Sequence, residues 1–383
     1  MQITDYELFA VPPRWLLLKL ETDEGLVGWG EPIIQGRLDT VRTAVGELVE
    51  GYLLGTDPLR TEYQWRKLYQ SGYFRGGPIL MSALAGIDHA LWDIKGRHYG
   101  APVHELLGGY VRDRMLVYQW LGGESPENIA RSAREDYEKG YRAFKLNFAR
   151  EFRPLETPAV VDRAVDRVAA VREALGDDAY LGVDFHGRVS KPMAAELVRR
   201  LEPYDLMFID QPLLPEHTEG FAAISDRTTI PIATGERFYS RYDFKQLFVD
   251  DAVAVIQPDV THVGGISELK KVTSLAESFD VAVIPHCPLG PIAFAASLQV
   301  GFCSQNVVMQ EQDLGLDAPE KSQRLAFLEN PNTFEFEDGY VERPTGPGLG
   351  IEIDEERVRE QAEAQVNWYN PVWHHEDSSV AEW

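Results

Sequence analysis

The sequence predicts an α/β protein whose main part is a (β/α)8-type barrel of parallel strands, preceded by a smaller α+β unit. Three observations carry that expectation. A strand-and-helix unit recurs eight times over about 200 residues of the second half and middle of the chain, the period of a closed parallel barrel. The roughly 110 residues before it break instead into a hairpin and three helices. From the third barrel unit onward, an ionisable residue stands at the end of every predicted strand.

In chain order, Trp15-Leu16-Leu17-Leu18-Lys19-Leu20 turns at Asp23-Glu24-Gly25 into Leu26-Val27-Gly28-Trp29-Gly30, as an antiparallel hairpin does. Apolar spacings of three and four predict helices over 40–53, 58–71 and 79–98, the last stopping before Gly100. Barrel strands are predicted at 115–120, 143–147, 179–184, 206–210, 231–233, 253–257, 281–285 and 307–310, with helical patterns such as 125–139, 158–175, 191–201 and 265–278 between them. After residue 330 come a hairpin signal at Asp338-Gly339 and a Gly/Pro-rich turn over 344–350. The expected division is therefore 1–112 as an N-terminal capping unit, 113–330 as the barrel, and 331–383 as a tail returning to the cap. An open doubly wound sheet is the competing architecture. The first strand-to-helix turn, Leu121-Gly122-Gly123-Glu124, weakens it, since it has no dinucleotide fingerprint, and no P-loop occurs elsewhere.

Composition removes several function classes. With 44% hydrophobic and 26% charged residues the chain is globular, and its apolar runs end far short of a membrane span. The N-terminus has no basic segment leading into an apolar one, so a cytoplasmic location is expected. Only Cys287 and Cys303 occur, too few for a disulfide framework or a thiolate cage. A net charge of −24 repels phosphate backbones and anionic lipid, which argues against nucleic-acid and membrane partners and leaves a small molecule. The surface is also poor in lysine, 10 against 27 arginines, which points to adaptation to concentrated salt. Undiminished stability after dialysis into low salt would count against that reading.

In barrels of this type the strand C-termini form the reactive face. Here they read Asp184-Phe185-His186, Asp210-Gln211, Gly235-Glu236-Arg237, Gln257-Pro258-Asp259, Pro285-His286 and Gln310-Glu311. Neighbouring parallel strands lie about 4.8 Å apart, so Asp184, Asp210 and Glu236 on successive units would gather three carboxylates that repel one another. Taken singly, each acid reads as a solvated strand end. Three at one phase of the repeat read as a site for a hard divalent cation, Mg2+, which takes oxygen ligands. Asp259 and His286 end adjacent strands, an arrangement in which the carboxylate fixes the imidazole tautomer and makes it a general base. His186 lies two residues beyond Asp184 and faces the same way if the strand persists, which makes it the candidate acid. The same period of two turns Lys145 and Asn147 inward, with Lys145 suited to a developing oxyanion or to acid/base work.

These residues resemble a known family, the enolase superfamily in its mandelate racemase-like branch, and within it the D-galactonate dehydratase group. The likeness runs through Ala83 to Gly96 before the barrel, Lys145-Leu146-Asn147, Asp184-Phe185-His186-Gly187-Arg188-Val189, Gly235-Glu236-Arg237, Gln257-Pro258-Asp259, Pro285-His286-Cys287-Pro288-Leu289-Gly290-Pro291 and Gln310-Glu311-Gln312. The resemblance implies an α+β cap over a modified (β/α)7β barrel, one Mg2+ on Asp184, Asp210 and Glu236, a His286/Asp259 base and His186 as acid. It further implies that Glu311 partners the substrate carboxylate, that Asn147 and Arg237 contact substrate, and that cap loops near 12–15 and 31–36 close over the sugar chain. Homo-oligomers are common in the family. The chain departs from the pattern at Phe208-Ile209-Asp210-Gln211-Pro212, where the family usually has Ile-Glu-Glu-Pro, so the strand-four ligand is shorter by one C–C bond, about 1.5 Å.

The implied reaction is the dehydration of a sugar acid, D-galactonate or a close aldonate, to a 2-keto-3-deoxy acid. His286 takes the C2 proton, the cation and Lys145 stabilise the enediolate, and His186 protonates the departing 3-hydroxyl. Racemising relatives carry a second lysine where this chain has Asn147, which cannot accept a proton. The rival readings are epimerisation or cycloisomerisation through the same intermediate, dehydration of gluconate, arabinonate or xylonate, and a catalytically silent binding protein.

Overall fold

A computed structural model describes residues 1–147, 152–362, 366 and 368–382. Residues 148–151 of the barrel segment and 363–365, 367 and 383 of the tail lie outside that description. Strand β2 (Trp15–Thr22) is central in an antiparallel sheet between β1 (Ile3–Val11) and β3 (Val27–Gly30). Its alternation divides two cores: Leu16, Leu18 and Leu20 pack with the cap helices, whereas Trp15 and Leu17 join the core shared with the barrel. The cap helices are α1 (Leu38–Leu48), α2 (Thr61–Gln70) and α3 (Gly77–Tyr99), followed by the short α4 (Val103–Leu106). The helix predicted over 40–53 covers α1 and a wider, π-type turn at Val49–Leu53. Helix α3 is buried on most sides and lies close against β3, so close that a Cβ on Gly30 would meet the Gly86 carbonyl oxygen at 1.9 Å. Only glycine permits that approach.

Eight parallel strands follow, β4 (Arg114–Leu121), β5 (Ala143–Asn147), β6 (Tyr180–Asp184), β7 (Phe208–Asp210), β8 (Ile232–Thr234), β9 (Val255–Ile256), β10 (Ala282–Val283) and β11 (Gln310–Glu311). Between them run α5 (Pro126–Glu138), α6 (Pro158–Leu175), α7 (Lys191–Leu201), α8 (Phe221–Ser225), α9 (Arg241–Val249), α10 (Ile266–Glu277) and α11 (Pro291–Phe302). Proline at the first turn and serine caps at Ser125 and Ser190 set the starts of α5 and α7. Each strand from β4 to β10 pairs with the next. The ring then closes: Val283 bridges Val307, the Val308 amide donates to the Val283 carbonyl at 3.0 Å, and β11 pairs in parallel with β4. Among the described residues β11 is followed by short 3-10 turns and a hairpin rather than by a barrel α-helix, so the barrel is of the (β/α)7β kind. The eighth strand, predicted over 307–310, is displaced to Gln310–Glu311. Inside the ring Leu116, Tyr118, Ala143, Phe208, Ala233, Val255, Ile284 and Met309 fill the floor beneath the polar mouth.

The tail has two parts. The hairpin β12 (Phe336–Glu337) and β13 (Tyr340–Glu342) turns at Asp338-Gly339 and pairs antiparallel with the first half of β4, so it stays with the barrel. Beyond it the chain crosses to the cap, where Asp93 of α3 accepts from the Leu349 amide at 2.9 Å and α12 (Glu355–Ala362) ties to β1 through Arg359 and Glu7.

Buried cap carboxylates hold the cap on the barrel by capping its helices. Glu31, just after β3, accepts from the Gly290 and Ala293 amides at 2.7 and 3.0 Å, at the start of α11. Asp88 of α3 accepts from the Ser267 amide and hydroxyl at 2.9 and 2.7 Å, at the start of α10. Both are buried, and burial pushes each carboxyl up to about 7. Glu31 is thereby taken out of the loop expected to close over a sugar chain, as is Trp15, which is buried against Phe327. Among the described residues no helix is long and apolar enough to cross a membrane.

Candidate active site

The inward side chains at the strand ends form one ring of polar groups at the barrel mouth. Register places Asn147 beside Asp184, Asp184 beside Asp210, and Asp259 beside His286. On the His286 side, Nδ1 donates to Asp259 Oδ2 at 2.6 Å and Nε2 stands 3.0 Å from Glu236 Oε2. Asp259 also accepts from the Thr261 amide and hydroxyl at 2.7 and 2.6 Å, so its orientation is fixed from the loop side. Burial works against charge on His286, but Glu236, Glu311 and Asp259 around it hold its proton well above the usual imidazole range. Glu236 is held far below the carboxylate range in spite of burial, chiefly by His286.

Across the ring, Lys145 is fully buried with its Nζ 3.0 Å from Asp184 Oδ2 and 2.5 Å from Asp210 Oδ2. These two carboxylates keep its charge against the desolvation of its surroundings. Asp210 is pushed well above the carboxylate range by burial and by repulsion from Asp184 and Glu236, which Lys145 offsets only in part. With its amide oriented to donate, Gln257 also reaches both Asp210 oxygens, one of them at 2.6 Å. Asp184 stays low despite its burial because His186 and Lys145 flank it.

The three carboxylates expected to surround a cation do not converge: among the described residues no three acid, histidine or cysteine donors stand around one point. The reason is visible in the pairings. The short Asp210 leaves room that Lys145 and Gln257 fill, and Glu236 turns to His286. The donor set nevertheless fits a hard divalent ion. All three donors are carboxylates, Asp184 Oδ2 is buried with the Lys145 ammonium 3.0 Å away, and that single lysine is shared with Asp210, which leaves the two acids in a mutual repulsion that a cation would relieve.

His186 reaches the site by a route that strand periodicity does not describe. Strand β6 ends at Asp184, and His186 sits in the left-handed region with φ of 50°, yet its Nδ1 lies 3.1 Å from Asp184 Oδ1. Gln211 at the end of β7 is left-handed too, φ 44°, and accepts the Gly187 amide at 2.8 Å; such strain gathers at working sites. Arg237 locks these two turns together, donating to Gln211 Oε1 at 2.7 Å and the His186 carbonyl at 3.0 Å, which makes it a support for the loop rather than an open substrate contact. Glu311 is likewise buried and engaged, accepting from Trp120 Nε1 and from the Cys287 amide at 3.1 Å. Asn147 stands within 3.5 Å of the Arg188 guanidinium.

Sequence reasoning passed over Trp120, whose ring centroid lies 4.6 Å from Lys145 Nζ and 6.0 Å from His186. Its signal was available, since Trp120 has the inward parity of Tyr118 and pairs with Lys145 in register. His262 was also missed. It stands 3.9 Å from Asp259 and is fixed by Ser82 of α3 at 3.0 Å, so the cap reaches the base through one intervening ring.

Comparison with known proteins agrees with this architecture. Residues 12–108 match the mandelate racemase / muconate lactonizing enzyme N-terminal domain and residues 128–357 the enolase C-terminal domain-like family. Proteins named D-galactonate dehydratase from Ralstonia nicotianae and Cronobacter sakazakii are each 49% identical to this chain over 383 residues, all of both chains. Among solved structures, an enolase from Agrobacterium radiobacter with sodium and L-malate bound has a TM-score of 0.91 at 31% identity and full coverage of both chains. A mandelate racemase/muconate lactonizing enzyme-like protein from Roseovarius sp. TM1035 has a TM-score of 0.90 at 28% identity, covering 99% of each chain. A cap of this kind, a (β/α)7β barrel and an acid-lined mouth, matched by both domain families, establish that the chain belongs to the enolase superfamily, in its mandelate racemase/muconate lactonizing enzyme branch.

Proposed function

We propose that this protein is a hydro-lyase that dehydrates D-galactonate, or a close aldonate, to a 2-keto-3-deoxy acid, with Mg2+ as its cofactor. The observation that carries the reading is the placement of two histidines across the barrel mouth: His286 follows β10 and His186 follows β6, four strands apart in a ring of eight. Elimination needs a base at C2 and an acid at the departing C3 hydroxyl, and groups on opposite sides of a bound chain supply both. The full-length relatives named D-galactonate dehydratase support the choice of substrate class.

The residues divide the work. Asp259 holds the Nδ1 proton of His286, so with Glu236 turned away Nε2 is left to accept the C2 proton. Asp184, Asp210 and Glu236 are the residues that would hold Mg2+, which supplies positive charge where the carboxylate becomes an enediolate. Lys145 brings a permanent ammonium to the same oxygens, and its burial strengthens that interaction. His186 gives its proton to the leaving hydroxyl. Trp120 offers its face beside Lys145 and His186, and its Nε1 keeps Glu311 in place. Asn147 holds the strand-two position without basic character, which disfavours inversion at C2. The chain is divided at 112/113 and 330/331 for this purpose, into cap, barrel and tail, and is a homo-oligomer of the cytoplasm.

Incubating the protein and Mg2+ with a panel of aldonates and scoring 2-keto-3-deoxy product tests the reading. D-Galactonate or a near stereoisomer should turn over; a panel without product would overturn it.

A further inference from the structure

A chain with a net charge of −24 repels small anions over most of its surface, so a cavity where cations outnumber acids has a distinct electrostatic character. One of about 820 Å3 lies between the Pro12-Pro13 turn of the cap, Gln119 of β4, the segment 313–327 and α12. Its walls carry Lys321, Arg324 and Arg357 against a single acid, Asp313. That acid is already engaged, because Arg324 contacts both its carboxylate and its main-chain carbonyl. Lys321 makes no ion pair among the described residues, and Arg357 reaches Glu360 only at 3.7 Å. Arg14 adds a further charge behind the turn. It is half-buried, and desolvation together with the nearby Arg324 lowers its hold on its proton. The segment 313–327 and α12, far apart in sequence, thus bring a net positive charge, carried by Lys321 and Arg357, to one concave place.

The rest of the lining says what kind of anion suits it. The amides of Gln323 and Gln361 offer paired donors and acceptors, the groups that bind a row of alcohols, whereas the Ser322 hydroxyl and the Gln119 amide oxygen are engaged with Leu314, Arg324 and Gln312. The cavity also backs on the reacting centre: Gln119 precedes Trp120, and Asp313 lies two residues past Glu311.

We infer that this cavity is a second binding site, for a small polyhydroxy carboxylate, in which Lys321 and Arg357 hold the carboxylate and the amides hold the hydroxyls. It keeps anions of the substrate class at the wall of the mouth in a field that otherwise drives them away; only this consequence rests on the reading of the reaction given above.

The test is equilibrium dialysis of the whole protein in chelator at low ionic strength, with D-galactonate, inorganic phosphate and neutral galactitol as probes. Wild type is compared with the Lys321→Gln/Arg357→Gln double variant, both positions being exposed and outside the catalytic ring. Wild type should bind one equivalent of galactonate more than the variant, that equivalent should weaken about tenfold or more in molar salt, and galactitol should not take it. The variant's kcat should be unchanged. Equal galactonate stoichiometry in the two proteins would overturn the proposal, and phosphate filling the extra site as tightly as galactonate would overturn its carboxylate-polyol character. If galactonate is not the substrate, both stoichiometries fall by one and their difference remains, so failure of the catalytic reading is told apart from failure of this one.

Discussion

His286 and Glu236 face one another at 3.0 Å, so the residue assigned to take a proton and a residue assigned to hold a cation neutralise each other. In this arrangement Glu236, Glu311 and Asp259 favour the protonated imidazole, and Glu236 occupies the Nε2 side from which a substrate proton would be taken. The base is released only when Glu236 finds another positive partner. Metal loading and activation of the base are therefore one event, and exhaustive chelation should abolish turnover rather than slow it; turnover that survives chelation would contradict the coupling.

Lys145 is the counter-ion of the acidic cluster when no metal is present. Lys145→Met should lower the stability of the chelated protein by about 3–5 kcal/mol, the range for removing one partner of a buried ion pair. Added Mg2+ should recover much of the loss by binding the folded state. Thermal melts of wild type and variant, with chelator and with Mg2+, give the comparison. An equal deficit in both conditions would show that Lys145 acts through packing alone.

The strand-four acid provides a second test by calorimetry. Asp210→Glu extends the carboxylate by about 1.5 Å, past the grip of Lys145 and Gln257 toward the mouth. Mg2+ should bind this variant several-fold more tightly. Weaker binding would mean that Asp210 belongs to an ion site built on a plan different from the superfamily's.

Glu31 gives the pH dependence. Its folded carboxyl is raised to about 7 by burial, against 4.5 for an ordinary glutamate. The folded state therefore binds the extra proton between those values. The stabilisation it brings is complete below pH 4.5 and is lost as pH rises through 7, by at most about 3 kcal/mol. Denaturant titrations at pH 5 and pH 8 should show wild type losing more stability across that interval than Glu31→Gln; parallel losses would assign the slope to other groups. Asp88, also raised to about 7 and buried, should contribute a loss of the same sign, which Asp88→Asn removes.

Much of the mouth is legible in the sequence because a parallel barrel repeats its phase. Asp184, Asp210, Glu236, Asp259, His286 and Glu311 recur at intervals of 23 to 27 residues, and the structure sets all six at the strand ends or just beyond them. What the repeat does not encode is depth and pairing. Periodicity turned Lys145 inward but did not show that it sits between Asp184 and Asp210, since that depends on the length missing from residue 210. His186 arrives through a left-handed turn, which has no period to read. Glu31 was placed in a closing loop because its partner, Gly290, lies 259 residues away and meets it only once the cap is docked. The eighth strand slipped because two residues carry no alternation.

Hydrogen exchange at C2 of D-galactonate in deuterium oxide separates the role of His286 from that of His186. With Mg2+ present, His286→Asn should neither form product nor exchange the C2 proton, with a loss of about 10²-fold or more, as for a positioned general base. His186→Asn should lose dehydration yet keep exchange, read with the 3-deoxy analogue so that a committed elimination does not mask it. Exchange retained in His286→Asn and abolished in His186→Asn would contradict the account and reverse the two roles.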